Sequence, residues 1–346
     1  MQAGMPDRQW RLTIFSPRRK VKVSQRNSRF IAVLLTATTL PWVAQAQDSY
    51  PSSPITIMVP AAAGGPSDTV ARLVAQSMSK TLGQQVLVEN MGGAGGSLGA
   101  ANVAKADPDG YRLLLYHIGV ATFAALYPNL AYKPIEDFSS VGLITEVPMT
   151  IVGRKDLEPK TFADLVAYVK KNATTVTFGT AGTGAVSDLC GRLLQDALGT
   201  KITLVPYKGM GPAMTDLIGG RIDLACDQTT NTTTQIKANE VHAYAVTTKA
   251  RIDVLPDLPT VEEGGLKGFE LSAWHALWAP KDTPAPIREK LSEALKTALK
   301  DPMVIERFAS LGTVPVAQEM ATPAALDQKF KAEVERLTKV VSEAGK

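Results

Sequence analysis

The sequence contains few residues of the kinds that build metal centres or covalent catalysts. Its 346 residues include three histidines, His117, His242 and His275, and two cysteines, Cys190 and Cys226. None of them has the spacing of zinc ligands. The G-x-S-x-G motif of serine hydrolases and the G-x-x-x-x-G-K-[ST] phosphate loop are also missing. We therefore predict no catalytic site of these classes and no bound cofactor or metal.

Long apolar segments are scarce as well. Six basic residues between positions 18 and 29 precede a short apolar run over residues 30–40, and Val43-Ala44-Gln45-Ala46 follows. A basic segment, a short apolar run and an A-x-A site predict a secretory signal peptide over residues 1–46. In an oxidising compartment Cys190 and Cys226 either form a disulfide or remain two buried thiols, because the sequence does not report their Cα distance.

Excess positive charge is confined to this leader. The leader holds eight of the 37 Lys and Arg residues and one of the 33 Asp and Glu residues, so the remaining chain has a net charge of −3 instead of +4. No stripe of Lys and Arg with interleaved aromatic residues appears in the sequence. Nucleic acid is therefore not a predicted partner.

Residues 178–189, F-G-T-A-G-T-G-A-V-S-D-L, are the centre of the predicted site. A β-rich run ends there and an apolar-periodic helix begins. First-turn amides lack intrahelical partners and carry partial positive charge, which favours a bound carboxylate or phosphate. The alternative is an ordinary turn in which Ser187 or Asp188 caps the helix. The predicted ligand-binding residues of this loop are Thr180, Ala181, Gly182, Thr183 and Ser187.

A similar loop follows the first strand after the leader. Residues 55–59 are rich in β-branched residues, and residues 61–68 lead into a helix with one apolar face. Asp68 stands where an N-cap is expected, and it can also contact a ligand donor. The predicted ligand-binding residues of this loop are Ala63, Gly64, Ser67 and Asp68.

Glycine is concentrated in residues 92–99, which contain five glycines and allow the backbone to approach another group closely. This is not a dinucleotide fingerprint, because Leu98 stands where the last glycine of a G-x-G-x-x-G motif is needed. A third strand over residues 111–116 ends at His117. In an open α/β sheet ligands bind beyond the carboxyl ends of the strands, so the three loops should share one edge.

The regular alternation of strands and helices predicts an α/β fold whose sheets are mostly parallel and covered by helices. The 300 residues after the leader exceed the usual size of one domain. Short strands over residues 141–144 and 150–152 flank Pro148, and a later strand over residues 222–226 stops before Asp227. We predict one lobe from residues 47–147 and 272–346, and a second lobe from residues 148–271.

Several motifs resemble the Bug family of periplasmic solute-binding proteins, the extracytoplasmic components of tripartite tricarboxylate transporters. The motifs cover the chain after the leader and stand in one order: V-P with G-G-P-S-D at residues 59–68, E-N with G-A-G-G at 89–96, P-D-G-Y at 108–111, V-P-Y-K-G at 205–209, D-L-I-G-G-R-I-D at 216–223 and L-P-T-V at 258–261. Two positions depart from the family, which often has histidine at Asp188 and proline at Ala63.

The resemblance implies a two-lobed periplasmic binding protein of the Venus-flytrap, type II-like kind. Such a protein works in the periplasm without a cofactor, captures a small organic carboxylate and delivers it to membrane transporter subunits, and we expect a monomer. In this family the loop matching residues 180–187 holds a ligand carboxylate, and the loop matching residues 61–68 approaches it from the other lobe. The resemblance leaves a sensory partner of a membrane kinase as an alternative role.

Three further residues are assigned to the ligand site. His117 would donate to a second ligand group, Trp274 would cover an aromatic ring, and Asp227 would face the first-lobe loops. An aromatic dicarboxylate such as terephthalate fits this pattern, and an amino acid or a citrate-like acid is the alternative. The alternatives are that His117 closes a strand end and that Trp274 packs in the hinge. A second functional class is a periplasmic enzyme that uses His117 or Asp227 as a base.

Overall fold

The computed structural model describes residues 50–127 and 129–344, with side chains described through residue 339. The predicted signal peptide lies outside these residues. The described residues form ten strands, β1 Ile55–Val59, β2 Val86–Asn90, β3 Arg112–His117, β4 Phe138–Arg154, β5 Thr177–Thr180, β6 Thr203–Pro206, β7 Leu224–Gln228, β8 Val241–Val246, β9 Ser272–Pro280 and β10 Val314–Pro315. They also form ten α-helices, α1 Pro66–Leu82, α2 Ser97–Ala104, α3 Phe123–Leu126, α4 Phe162–Lys171, α5 Val186–Leu198, α6 Met210–Ile218, α7 Thr229–Lys237, α8 Ala285–Ala298, α9 Pro302–Ser310 and α10 Pro323–Ala344.

Strands β2, β1, β3, β9 and β4 lie side by side in that order. β1 pairs in parallel with both β2 and β3, and four of its five residues are buried, as expected for a central parallel strand. The loops after these three strands therefore leave from one edge of the sheet. This confirms the sequence-based expectation for the segments after Val59, Asn90 and His117.

The row continues from β4 through β7 and β5 to β6. β5 is parallel to β6 and β7, so the loops after these strands also share an edge. β9 runs antiparallel to β3 and β4, and β4 runs antiparallel to β7 and β8. The predicted α/β class is confirmed, but the sheets are mixed rather than mostly parallel because β4 and β9 run against their neighbours.

β4 corrects one detail of the sequence analysis. Two short strands were expected on either side of Pro148, and the structure has one strand of 17 residues. Pro148 stands opposite Ser272 at the end of the β9 pairing, and from Met149 onward the strand pairs with β7 and β8 instead. A proline removes one backbone donor, which is tolerated where a strand exchanges partners.

This exchange of partners falls where the boundary between the lobes was predicted. The described residues nevertheless form one compact unit. The division into residues 47–147 with 272–346 and residues 148–271 therefore stays a prediction.

A disulfide bond joins Cys190 in α5 to Cys226 in β7, with 6.2 Å between their Cα atoms. The sequence left a disulfide and two free thiols open, and the structure has the disulfide. Both residues are fully buried. The bond ties the helix that follows the second loop to the strand that carries Asp227.

Replacing both cysteines with alanine is expected to lower the free energy of unfolding by about 2–5 kcal/mol, since the bond spans 36 residues of sequence and restricts the unfolded chain. Urea unfolding with and without a reductant measures this loss. The reductant should shift the midpoint of the wild-type protein and leave that of the double variant unchanged. An identical midpoint for the oxidised and reduced wild-type protein would contradict the prediction.

The described residues contain neither a candidate membrane-spanning helix nor a candidate metal cluster. No helix among them has both the length and the apolar character needed to cross a bilayer. No group of three or more His, Cys, Asp or Glu side chains among them is arranged to hold a metal ion.

Candidate functional site

The first predicted loop, residues 61–68, is built around Asp68. Gly65 is the N-cap of α1, and Asp68 lies at the third helical position rather than at the predicted N-cap. Its Oδ2 accepts hydrogen bonds from the backbone N–H of Gly64 at 3.0 Å and from Nε of Arg72 at 2.9 Å. Burial raises the pKa of Asp68, but hydrogen bonds from Arg72, Gly64 and Asn90 lower it overall. The carboxylate is therefore ionised and closes the loop onto the helix.

The second loop, residues 180–187, has the same construction. Ala185 is the N-cap of α5, and Oδ2 of Asp188 accepts from the Gly184 N–H at 3.1 Å and from Nε of Arg192 at 2.8 Å. Ser187 and Asp188 were expected as possible caps, and neither stands at the N-cap. Oγ of Ser187 instead accepts from the Ala181 N–H at 2.8 Å, which bends the loop back over the first turn.

The two loops share the pattern G-x-x-S-D-x-x-x-R, at residues 64–72 and 184–192. In each, the glycine amide is bonded to the aspartate, and the aspartate is paired with the arginine one turn later. Pro66 at the start of α1 has no N–H, and the Asp188 N–H bonds to the carbonyl of Ala185, so the donors left at the two helix starts are the amides of Ser67 and Asp68 and those of Val186 and Ser187. Asp188, which departs from the family pattern, is thus the counterpart of Asp68 in the other half of the chain.

α1, α5, α6 and α7, which follow β1, β5, β6 and β7, start without a side-chain cap, and so does α8. α4 and α9, by contrast, are capped by the side chains of Thr161 and Asp301. Uncapped N-termini keep their amide donors and partial positive charge available, so this edge favours anions.

His117 and His275 form a buried pair beside the first loop. They stand opposite each other on β3 and β9, with ring centroids 5.9 Å apart. Nε2 of His275 lies 3.0 Å from Oγ of Ser67, and Nδ1 of His117 accepts from the Gly119 N–H at 2.9 Å. The hydrogen of a neutral His117 ring therefore lies on Nε2, which is left as a donor.

Both rings are neutral at neutral pH. Burial lowers the pKa of His275 to about 3. Burial and the neighbouring His275 hold the pKa of His117 well below its usual 6.5. An anion at this edge would thus meet neutral donors and not imidazolium.

His275 was missed as a site residue by the sequence analysis. Its role depends on the antiparallel pairing of β9 with β3, which joins residues 158 positions apart only in the folded chain. The one available signal was a polar residue inside an apolar strand that is buried almost throughout. That signal does not identify Ser67 as the partner.

Trp274 faces away from the His117–His275 pair. Trp274 is on the opposite face of β9 from His275 because side chains alternate along a strand. It packs near Trp278 and lines a surface hollow with Glu146 and Lys329. This position favours the packing alternative over contact with a ligand ring.

Asp227 lies at the end of β7, which extends two residues further than the sequence predicted. Its carboxyl group is buried and accepts from the Gln228 N–H at 2.7 Å and from Nδ2 of Asn231 at 2.5 Å. Burial raises its pKa to about 7 against the effect of these bonds. Both oxygens are thus already engaged within β7 and α7.

Comparisons with known proteins agree with this architecture. The family model TctC, described as a tripartite tricarboxylate transporter family receptor, matches residues 70–345. A UPF0065 protein from the TAR-I ttuE-ttuC′ intergenic region of Agrobacterium vitis is 96% identical over 346 residues, which cover all of both chains. The solved structure of the periplasmic binding protein BugD is 49% identical, with a TM-score of 0.84 over 86% of this chain and 99% of that one.

A second solved structure is MatC from Rhodopseudomonas palustris with bound malate. It is 41% identical, with a TM-score of 0.82 over 84% of this chain and 100% of that one. These matches confirm the α/β periplasmic binding protein fold and the resemblance to the Bug proteins. The family and these neighbours are binding proteins rather than enzymes. The chain belongs to the TctC family of tripartite tricarboxylate transporter receptors.

Proposed function

We propose that this protein is an exported periplasmic receptor that captures a small organic carboxylate between its two predicted lobes and delivers it to membrane transporter subunits. The observation that carries the proposal is the matched pair of helix N-termini, one at residues 64–72 and one at residues 184–192. Each presents amide donors at the edge where the parallel strands end.

The charge balance of these loops supports an anion bound by amides. Arg72 and Arg192 are each paired with an aspartate at 2.9 and 2.8 Å, so neither is free to neutralise a ligand. A carboxylate accepts charge-assisted hydrogen bonds from backbone N–H groups, and these offset the loss of its hydration. Neutral His117 adds one further side-chain donor beside the same loops.

Two observations support the proposed ligand class, namely the ligand of one similar protein and the orientation of Trp274. MatC was solved with malate, a short dicarboxylate. Trp274, which would have covered an aromatic ring, faces away from the His117–His275 pair. We therefore place short aliphatic dicarboxylates ahead of terephthalate, which stays in the test as a competing ligand.

An enzymatic role has one feature in its favour, the 3.0 Å contact between Oγ of Ser67 and Nε2 of His275. A serine beside a histidine is the arrangement of a nucleophile and its base. A general base works best when its pKa is near the working pH, and burial lowers the pKa of His275 to about 3. The pair is therefore a poor catalyst, and the binding role is preferred.

A thermal-shift screen of the purified protein against organic acids tests the proposal. A ligand that binds the folded state raises the melting temperature in proportion to ln(1 + [L]/Kd). Short dicarboxylates should raise it, and terephthalate, inorganic phosphate and neutral sugars should raise it less. If sugars or cations shift it and no carboxylate does, the carboxylate proposal is wrong.

Ser187→Ala is expected to weaken binding of the best acid roughly 5- to 10-fold, because the Ala181 N–H loses the acceptor that shapes the loop. Titration calorimetry measures the change. Ser310→Ala is the matched control, since Ser310 bonds to Arg307 at an exposed helix end. If the two variants bind the acid with equal affinity, the second loop is not part of the binding site.

A further inference from the structure

The glycine segment over residues 92–96 lies against the second half of the chain. A Cβ atom at Gly92 would stand 2.2 Å from the carbonyl oxygen of Lys208, and one at Gly95 would stand 1.9 Å from that of Thr183. Backbone therefore rests on backbone at both points. Thr183 belongs to the second loop, so the segment touches the predicted anion site directly.

Two hydroxyl groups reach the same loop from the first half of the chain. Oη of Tyr127 donates to the carbonyl of Thr183 at 2.7 Å. Oγ1 of Thr122 lies 2.7 Å from the carbonyl of Gly184 and 2.8 Å from that of Gly119. Since a hydroxyl has one hydrogen, Thr122 can bond to either carbonyl.

These contacts join the two lobes that the proposed function requires, and the following inference rests on that division. We propose that Tyr127 and Thr122 are positioning residues that hold the second loop across the cleft and thereby set how fast the ligand leaves. They bond to the carbonyls of Thr183 and Gly184 and need not touch the ligand. Because Gly95 has no side chain, the Thr183 carbonyl can pack directly against it.

Thr122 differs from Tyr127 in having a second acceptor, the carbonyl of Gly119. When the cleft opens, Thr122 keeps a bond to Gly119 within its own segment, whereas Tyr127 exchanges Thr183 for water. Both bonds to the second loop are made in the closed form alone. Their removal therefore favours opening and accelerates dissociation, while association from the open form is unaffected.

The contacts also close the cleft through protein groups alone. The N–H of Ala62 donates to the carbonyl of Lys208 at 2.9 Å, which adds a third bond across the same cleft. We infer that the closed form is populated without ligand. This part of the inference can be tested before the ligand is known.

The test compares the wild-type protein with the double variant Thr122→Val, Tyr127→Phe. Thiols introduced at the exposed residues Lys171 and Lys300 are labelled in the full exported chain, and the distance between the labels is measured without ligand. The wild-type protein should show a closed population, and the double variant should show one reduced about 5-fold or more. Tyr111→Phe is the control, since it removes a hydroxyl that bonds to Ser52 within the first lobe.

Stopped-flow binding of malate, or of the best acid from the screen, provides the second measurement. The double variant should release the acid about 10-fold faster, and its association rate should be no lower than that of the wild type, because a larger fraction of the variant is open. Thr122→Ser keeps the hydroxyl and should restore wild-type release at that position. If the double variant matches Tyr111→Phe in closed population and release rate, the inference is wrong. If no acid binds but the closed population falls as expected, the proposed ligand is wrong and the positioning role stands.

Discussion

Gly95→Ala is expected to weaken carboxylate binding by about 100-fold or more, which calorimetry will measure as a loss of most of the binding signal. The added Cβ would stand 1.9 Å from the Thr183 carbonyl oxygen, and this overlapping atom belongs to the backbone rather than to a flexible side chain. The closed form becomes inaccessible, so the ligand contacts one loop instead of two. A receptor whose binding-competent state is depopulated loses apparent affinity in the same proportion.

The backbone strain of this substitution needs a matched control. Gly95 has φ +61°, a left-handed conformation in which alanine costs about 1–2 kcal/mol wherever it occurs. Gly83 has φ +68° and no atom within 4 Å of an added Cβ, so Gly83→Ala carries the strain without the overlap. Both variants should lower the melting temperature of the ligand-free protein similarly. Unchanged affinity in Gly95→Ala would contradict the closed form as the binding form.

Asp227→Asn is expected to stabilise the protein at neutral pH and to remove part of its pH dependence. Burial raises the pKa of Asp227 from its usual 3.8 to about 7, so the folded state holds a proton that the unfolded chain releases between these values. The free energy of unfolding contributed by this group therefore falls as the pH rises from about 4 to 7. The shift corresponds to a loss on the order of 4 kcal/mol.

The buried histidines change the free energy of unfolding with pH in the opposite direction. Burial lowers the pKa of His275 to about 3, so its contribution is present above pH 6.5 and is lost as the pH falls. The effects of Asp227 and His275 therefore partly cancel. The free energy of unfolding of the wild-type protein changes less with pH than either group alone would cause. Urea unfolding from pH 4 to 8.5 should show a difference between Asp227→Asn and wild type that grows up to pH 7 and then stays constant. The exposed Asp257→Asn is the control, and a pH-independent difference for Asp227→Asn would contradict the prediction.

Local sequence patterns predicted the secondary structure well. The strand Ile55–Val59 has the boundaries that its sequence pattern indicated, and β3 lies within one residue of the strand predicted over residues 111–116. β4 was predicted less well, because a proline inside a strand looks like a break. Its continuity depends on partners from four other strands, and no local pattern reports them.

The hydrogen-bonding role of the aspartates at the two loops could not be predicted from the sequence. Asp68 was expected at an N-cap with ligand contact as a second role, and Asp188 was, with Ser187, a candidate cap in the alternative interpretation of its loop. Each accepts a hydrogen bond from a glycine amide four residues earlier, and whether that bond replaces a cap depends on the loop conformation. The shared spacing at residues 64–72 and 184–192 is visible in the sequence, but its meaning emerged from the two matching geometries.

The sequence by itself determined the α/β class, the positions of the glycine-rich loops at helix N-termini and the membership of a carboxylate receptor family. These features depend on residues that are close together in the chain. The tertiary structure decided the Cys190–Cys226 bond, the Ser67–His275 contact and the fit of Gly95 against Thr183. Each of these joins residues that are distant in sequence, and such contacts exist only once packing has selected one register for the strands and one arrangement of the helices.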